Sequence, residues 1–201
     1  FSSLLALTVY LLKHSSFGLK NLISENFKLI VISFIPALII GLIMKILNFN
    51  FLSLEMIAYT SIIGAIMLFA ADKFKNIQIK TKSPSMDFLI AGIFQCLAFL
   101  PGFSRSGSCI TAFLVLGQNK KQAITNSLLM SFPIILLSFL SNAHDLESIS
   151  IDKSLLFIFI ITFISAYLTL YFFIKYINRI GFTPYVIYRI ILGFIILYYL
   201  G

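Results

Sequence analysis

Charge is scarce in this sequence. Only 11% of its 201 residues are charged and 60% are hydrophobic, where a soluble domain has about 25% and about 45–50%. With a mean hydropathy of +1.03, the apolar surplus has no place in water, and a bilayer is the solvent that accepts it. Acidic residues are scarcer still, 7 against 15 basic ones. Glu55 is the one acid inside a long apolar run, so the spans hold no carboxylate pair for a divalent ion. There are two cysteines, Cys96 and Cys109, both within apolar stretches; a disulfide framework is excluded and small buried thiols are expected. A basic n-region and a small-residue cleavage site are also missing, which excludes a signal peptide. Residues 1–12 are apolar but too short to cross a bilayer. They are expected to be the end of a helix that starts before Phe1, in a fragment of a longer protein.

What is present is a series of long apolar runs separated by short polar loops. Runs 29–47, 52–71, 123–140, 154–174 and 184–201 approach the roughly 20 residues that a spanning helix needs. Pro36 and Pro133 lie inside runs, where kinks are tolerated when neighbours satisfy the freed carbonyl. The expected fold is all-α, a polytopic transmembrane helix bundle forming a single integral membrane domain over 1–201. Segment 86–117 differs. Two short apolar stretches, 88–100 and 110–117, flank a polar, glycine-containing break. Neither stretch can cross alone, so a re-entrant helix–loop–helix is expected.

Loop charge supports that topology. If 86–117 enters and leaves on one side, loops 13–28, 72–87, 118–121 and 175–183 share a face. They carry Lys13, Lys20, Lys28, Lys73, Lys75, Lys80, Lys82, Lys120, Lys121, Lys175 and Arg179, most of the basic residues. The positive-inside rule places that face in the cytoplasm. The net charge of +8 therefore points to membrane lipids of the anionic leaflet rather than to nucleic acid. The loop 141–153 is acidic, with Asp145, Glu147 and Asp152. His144 beside them is read as a solvated loop residue rather than a metal ligand, and His14 also lies in a loop.

Chemistry concentrates in Pro101-Gly102-Phe103-Ser104-Arg105-Ser106-Gly107-Ser108-Cys109-Ile110-Thr111. An arginine at membrane depth costs at least about 2.5–3.5 kcal/mol and persists where it meets an anion or a cavity. Gly102 and Gly107 allow close backbone approach. The second half-helix starts near Ser106, aiming its dipole at the same place. Guanidinium, serine hydroxyls and helix N-terminus together make a phosphate cradle. The competing reading is a serine-rich turn that caps a half-helix while Arg105 snorkels to an interface.

Phe94-Gln95-Cys96-Leu97-Ala98 followed by Pro101 to Gly107 resembles the Pro-Gly-x-Ser-Arg-Ser signature of the undecaprenyl-diphosphate phosphatase family linked to bacitracin resistance. The resemblance continues at Leu116-Gly117, Ser127-Leu128-Leu129 and Pro133, and returns at Pro184, Tyr188 and Arg189. It implies a bacterial cytoplasmic (inner) membrane enzyme that hydrolyses undecaprenyl diphosphate to undecaprenyl phosphate and phosphate. It also implies two inverted repeats, each with a re-entrant loop, the first incomplete here. Carried over, Arg105, Ser104 and Ser106 are catalytic candidates, and Gly102, Gly107, Ser108, Cys109, Thr111 and Arg189 candidates for substrate binding. Cys109 stands where the family pattern usually has Thr, and Thr111 lies on a different helix face. The family's second motif, rich in Glu with a Ser and a His, has no counterpart in this sequence. The chain alone is therefore expected to be inactive.

Three expectations stay open. A divalent cation, Mg or Ca, is associated with the family, but no ligand for one is identifiable here. Arg189 is a diphosphate ligand, a partner of Glu55 or a snorkelling interfacial residue. The partners are the lipid substrate, membrane lipids and, as an open question, a second copy in a homodimer. The alternative function is a polyprenyl-phosphate transporter or flippase, because broken half-helices aimed at an anion are also a transporter device.

Overall fold

A computed structural model describes residues 5–10, 19–48, 53–74, 79, 83–141 and 153–200. The regular elements among them are all helical: residues 5–10, α1 (Leu19–Ile46), α2 (Leu54–Lys73), α3 (Pro84–Gln95), a 3-10 turn (Cys96–Phe99), α4 (Arg105–Val115), α5 (Lys120–Ser141), α6 (Lys153–Ile180) and α7 (Thr183–Leu200). Among the described residues, four segments are long and apolar enough to cross a membrane: Asn26–Ile46, Leu54–Lys73, Ser154–Ile177 and Thr183–Leu200. The chain is a multi-pass membrane protein. The run 123–140 forms a helix, α5. It carries Thr125, Asn126, Ser127 and Ser131, whose side chains bond to Lys121, Gln118, Ser106 and Leu128.

Segment 86–117 is a helical hairpin. Ser83 caps α3 by accepting from the Met86 N–H, and Pro84 fits the first turn, where no N–H is needed. The chain turns back at 100–104, and just past the end of α4 Gly117 has φ 83°, the left-handed conformation that favours glycine after a helix C-terminus. The two feet meet, because Gln118 Nε2 donates to Asp87 Oδ2 at 3.2 Å. Beside them Lys120 Nζ lies 2.7 Å from Asp72 Oδ1, and the Phe182 N–H donates to Asp72 Oδ2 at 3.4 Å. The ends of α2 and α4 and the starts of α3, α5 and α7 therefore gather at one end of the bundle. That is the grouping of loops 72–87, 118–121 and 175–183 read from charge. Lys13, His14, Lys75, Lys80, Lys82, His144, Asp145, Glu147 and Asp152 lie outside the described residues.

The core forms around α4, where Cys109 and Phe113 are fully buried and Ala112 nearly so; Phe113 meets Phe88 edge-on, with ring centroids 5.2 Å apart. Small residues set the close helix crossings, as is usual where lipid rather than water surrounds a bundle. A Cβ on Gly92 of α3 would overlap the Ser33 carbonyl of α1. The crossing of α2 with α7 is reciprocal: Gly64 faces the Arg189 guanidinium, and Gly193 faces Ile62 and the Ala58 carbonyl. A groove of about 850 Å³ runs along α6 past Ile164, Leu168, Phe172 and Tyr176 to Tyr185 at the start of α7.

Candidate functional site

The break between the half-helices is held by its carbonyls. The Ser61 hydroxyl donates to Gly102 O at 3.1 Å, and Arg189 Nη2 donates to the same oxygen at 2.7 Å. Thr60 Oγ1 reaches both Pro101 O and, at 2.7 Å, Met56 O of its own helix; with one proton it serves one of them at a time. Irregular backbone at membrane depth needs this internal satisfaction. Gly102 has φ 89°, and a Cβ there would collide with the Ile57 backbone and Thr60 Oγ1, so the loop lies directly on α2. Ser104 is the N-cap of α4 with φ 62° and ψ 107°, a conformation that a non-glycine residue holds only when its surroundings over-determine it. Its Oγ accepts from the Gly107 N–H at 3.3 Å and lies 3.0 Å from the Tyr185 hydroxyl.

The two arginines are anchored on different walls. Arg105 Nη2 donates to Gln95 Oε1 of α3 at 3.1 Å and to Met130 O of α5 at 2.6 Å. Its Nε is buried without a hydrogen-bond partner. Arg189 is only 4% exposed, with Cζ 5.7 Å from the Tyr185 ring centroid. Its Nη1 is also buried without a partner and would lie 3.4 Å from a Cβ on Gly107. A buried donor left unpaired costs about 1–3 kcal/mol, and more when charged. Each is a donor available to an acceptor of negative charge, and Arg189 Nη1 lies beside the positive end of α4.

The structure brings together Ser104, Gly107, Gly102 and Arg189, with Arg105 rooted at the same helix start. It corrects several expectations. Ser108 and Thr111 are buried, and their hydroxyls donate to Ser104 O at 3.0 Å and Gly107 O at 2.7 Å. Such back-bonding to the preceding turn engages the proton of both hydroxyls. Cys109 is fully buried, and its thiol lies 3.6 Å from Gln95 Oε1, behind the Arg105 anchor. Ser106 has an exposed side chain and touches the cluster through its carbonyl, which accepts from Ser127 Oγ at 3.4 Å. Arg189 neither snorkels nor pairs with Glu55. It is buried on Gly102 O, whereas Glu55 is exposed in the first turn of α2.

Sequence reasoning missed Gln95, Tyr185, Thr60 and Ser61 as parts of the site. Gln95 carried a signal, an amide inside the apolar run 88–100. Thr60, Ser61 and Tyr185 look like ordinary span residues until the fold sets them against the loop. Among the described residues no group of three His, Cys, Asp or Glu could hold a metal ion. The side chains around the loop are mostly donors, so the described residues there do not fit a divalent cation.

A profile of the family described as bacitracin resistance protein BacA matches residues 1–195. A curated protein named undecaprenyl-diphosphatase, from Vesicomyosocius okutanii subsp. Calyptogena okutanii (strain HA), is 38% identical over 170 residues, which cover 82% of this chain and 64% of the relative. The chain thus spans less than two thirds of that relative's length. With the loop that carries Arg105 tethered to Gln95 and Arg189, and with the profile running through nearly every helix, the chain belongs to the bacitracin resistance protein (BacA) family.

Proposed function

We propose that the protein hydrolyses undecaprenyl diphosphate to undecaprenyl phosphate and phosphate in the bacterial cytoplasmic membrane. The observation that carries this reading is the pair of buried, unpartnered guanidinium N–H groups, Arg105 Nε and Arg189 Nη1, at the start of α4 inside an apolar bundle. They suit an anion that arrives through lipid. The relative's printed name supports the choice of anion. In the reaction a water oxygen bonds to the terminal phosphorus, the bond from that phosphorus to the bridging oxygen breaks, and the bridging oxygen leaves with the lipid monophosphate. Arg105 and Arg189 offset charge on the phosphoryl oxygens, where positioned donors matter most in the transition state. Ser104, fixed by Tyr185 and Gly107, presents its hydroxyl beside them. A divalent cation, if one assists, takes its carboxylates from outside the described residues, and no step here depends on it.

Phosphate release by the full-length protein from undecaprenyl diphosphate in detergent tests the reading. Arg105→Lys is expected to lower turnover by about 10²–10³-fold with an unchanged size-exclusion profile, because lysine loses the planar fork that grips two oxygens. Near-normal turnover by that variant would make Arg105 a structural residue and remove the phosphate cradle.

A further inference from the structure

Arg105 reaches its place through another side chain. Gln95 sits on the last turn of α3, is 2% exposed, and is polar where its helix neighbours Phe88, Ala91 and Gly92 are apolar and buried. Its amide orientation follows from its partners. Arg105 carries donors only, and the Cys109 thiol also approaches as a donor, so the amide oxygen must face both. Oε1 lies 3.1 Å from Arg105 Nη2 and 3.6 Å from Cys109 Sγ. That arrangement leaves Gln95 Nε2 buried with no acceptor in the protein. A buried amide held with one end unsatisfied is a poor way to fill a core. Leucine or methionine would fill the same volume without the desolvation cost. The residue earns its place by what it does to the arginine.

We infer that Gln95 is the positioning residue for Arg105. Together with the Met130 carbonyl it grips one nitrogen of the guanidinium. The plane is thereby fixed and Nε is left free for the bound anion. This rests on the proposed function for the identity of the anion, but not for the coupling between the two side chains. The coupling has two consequences. Gln95 acts only through Arg105, so its loss matters only when Arg105 is present. A negative charge in its place satisfies Arg105 but neutralises it, which weakens anion binding while preserving shape.

The test is a double-mutant cycle in the full-length, detergent-purified protein, read both as undecaprenyl diphosphate turnover and as affinity for inorganic pyrophosphate. Gln95→Met is expected to reduce turnover by about 10²-fold, the scale of a misplaced reacting group. In an Arg105→Lys background the same change is expected to cost under about three-fold, since neighbours in one network are non-additive. Equal losses in both backgrounds would overturn the inference. Gln95→Glu, nearly isosteric, guards against a folding defect in the methionine variant. It is expected to weaken pyrophosphate binding more than about ten-fold, and unchanged binding would also overturn the inference. If the wild-type protein fails to hydrolyse the lipid, the proposed function falls, and the pyrophosphate cycle still decides the role of Gln95.

Discussion

Arg105 and Thr111 are six positions apart in one short helix, yet the structure gives them opposite fates. Arg105 keeps a buried Nε without a partner, while the Thr111 hydroxyl closes on Gly107 O at 2.7 Å. Thr111→Val is therefore expected to change phosphate release by less than about three-fold and to cost no more than about 1.5 kcal/mol in stability, the scale of one net hydrogen bond. A loss approaching that of Arg105→Lys would return Thr111 to the site. Arg189→Lys should lower turnover by about 10²-fold, because a lysine cannot hold Gly102 O with one nitrogen and offer a second toward Gly107. Phosphate release, with folding checked by size exclusion, reads that variant too. The loop with Arg105 was legible in the sequence, since an arginine among serines and glycines inside apolar runs is tolerated chiefly where an anion or a wet cavity meets it. Sequence spacing does not say which hydroxyls a helix takes for its own carbonyls, as Ser108 and Thr111 show.

At the scale of elements, the hairpin depends on two close approaches. Gly92 brings α3 onto the Ser33 carbonyl of α1, and Gly102 brings the loop onto the Ile57 backbone of α2. Both neighbours are backbone and cannot swing aside. Gly92→Ala is expected to destabilise by about 1–3 kcal/mol through overpacking, seen as a lower thermal midpoint in detergent. Gly102→Ala adds strain at φ 89° to the same collision. It should displace the loop and lower turnover as well as the midpoint; unchanged midpoints in both variants would show that the helices pack more loosely than these contacts require. Long apolar runs located α2 and α7 in the sequence to within two residues of their ends, whereas α1 begins ten residues before its run and α6 continues six residues beyond its run. The helix α5 also formed on its run, and Asn126 and Ser127 in its first half are bonded to Gln118 and Ser106.

For the whole molecule, the charge-based topology and the contacts at one end of the bundle agree, and both place the feet of the hairpin on the same side. Single cysteines replacing Met86 and Lys121, both exposed, are expected to label from the same face of sealed vesicles. Labelling from opposite faces would sink the re-entrant topology. Which helix faces pack together was not legible in a sequence where nearly every position in the spans is apolar; glycine contacts and buried hydroxyls decide it. The anchoring of the Gly102 carbonyl carries a consequence for biosynthesis. Chains are made from the N-terminus, and their parts assemble as they emerge. Ser61, which bonds Gly102 O, precedes the loop in the chain, whereas Arg189 follows it by 87 positions. During translation the loop can settle on α2 early, but its arginine tether and the Tyr185 contact to Ser104 wait for the last helix. A ribosome stalled before Thr183 would leave a hairpin that is seated on α2 but lacks both contacts from α7, so the loop is complete only once α7 enters the membrane.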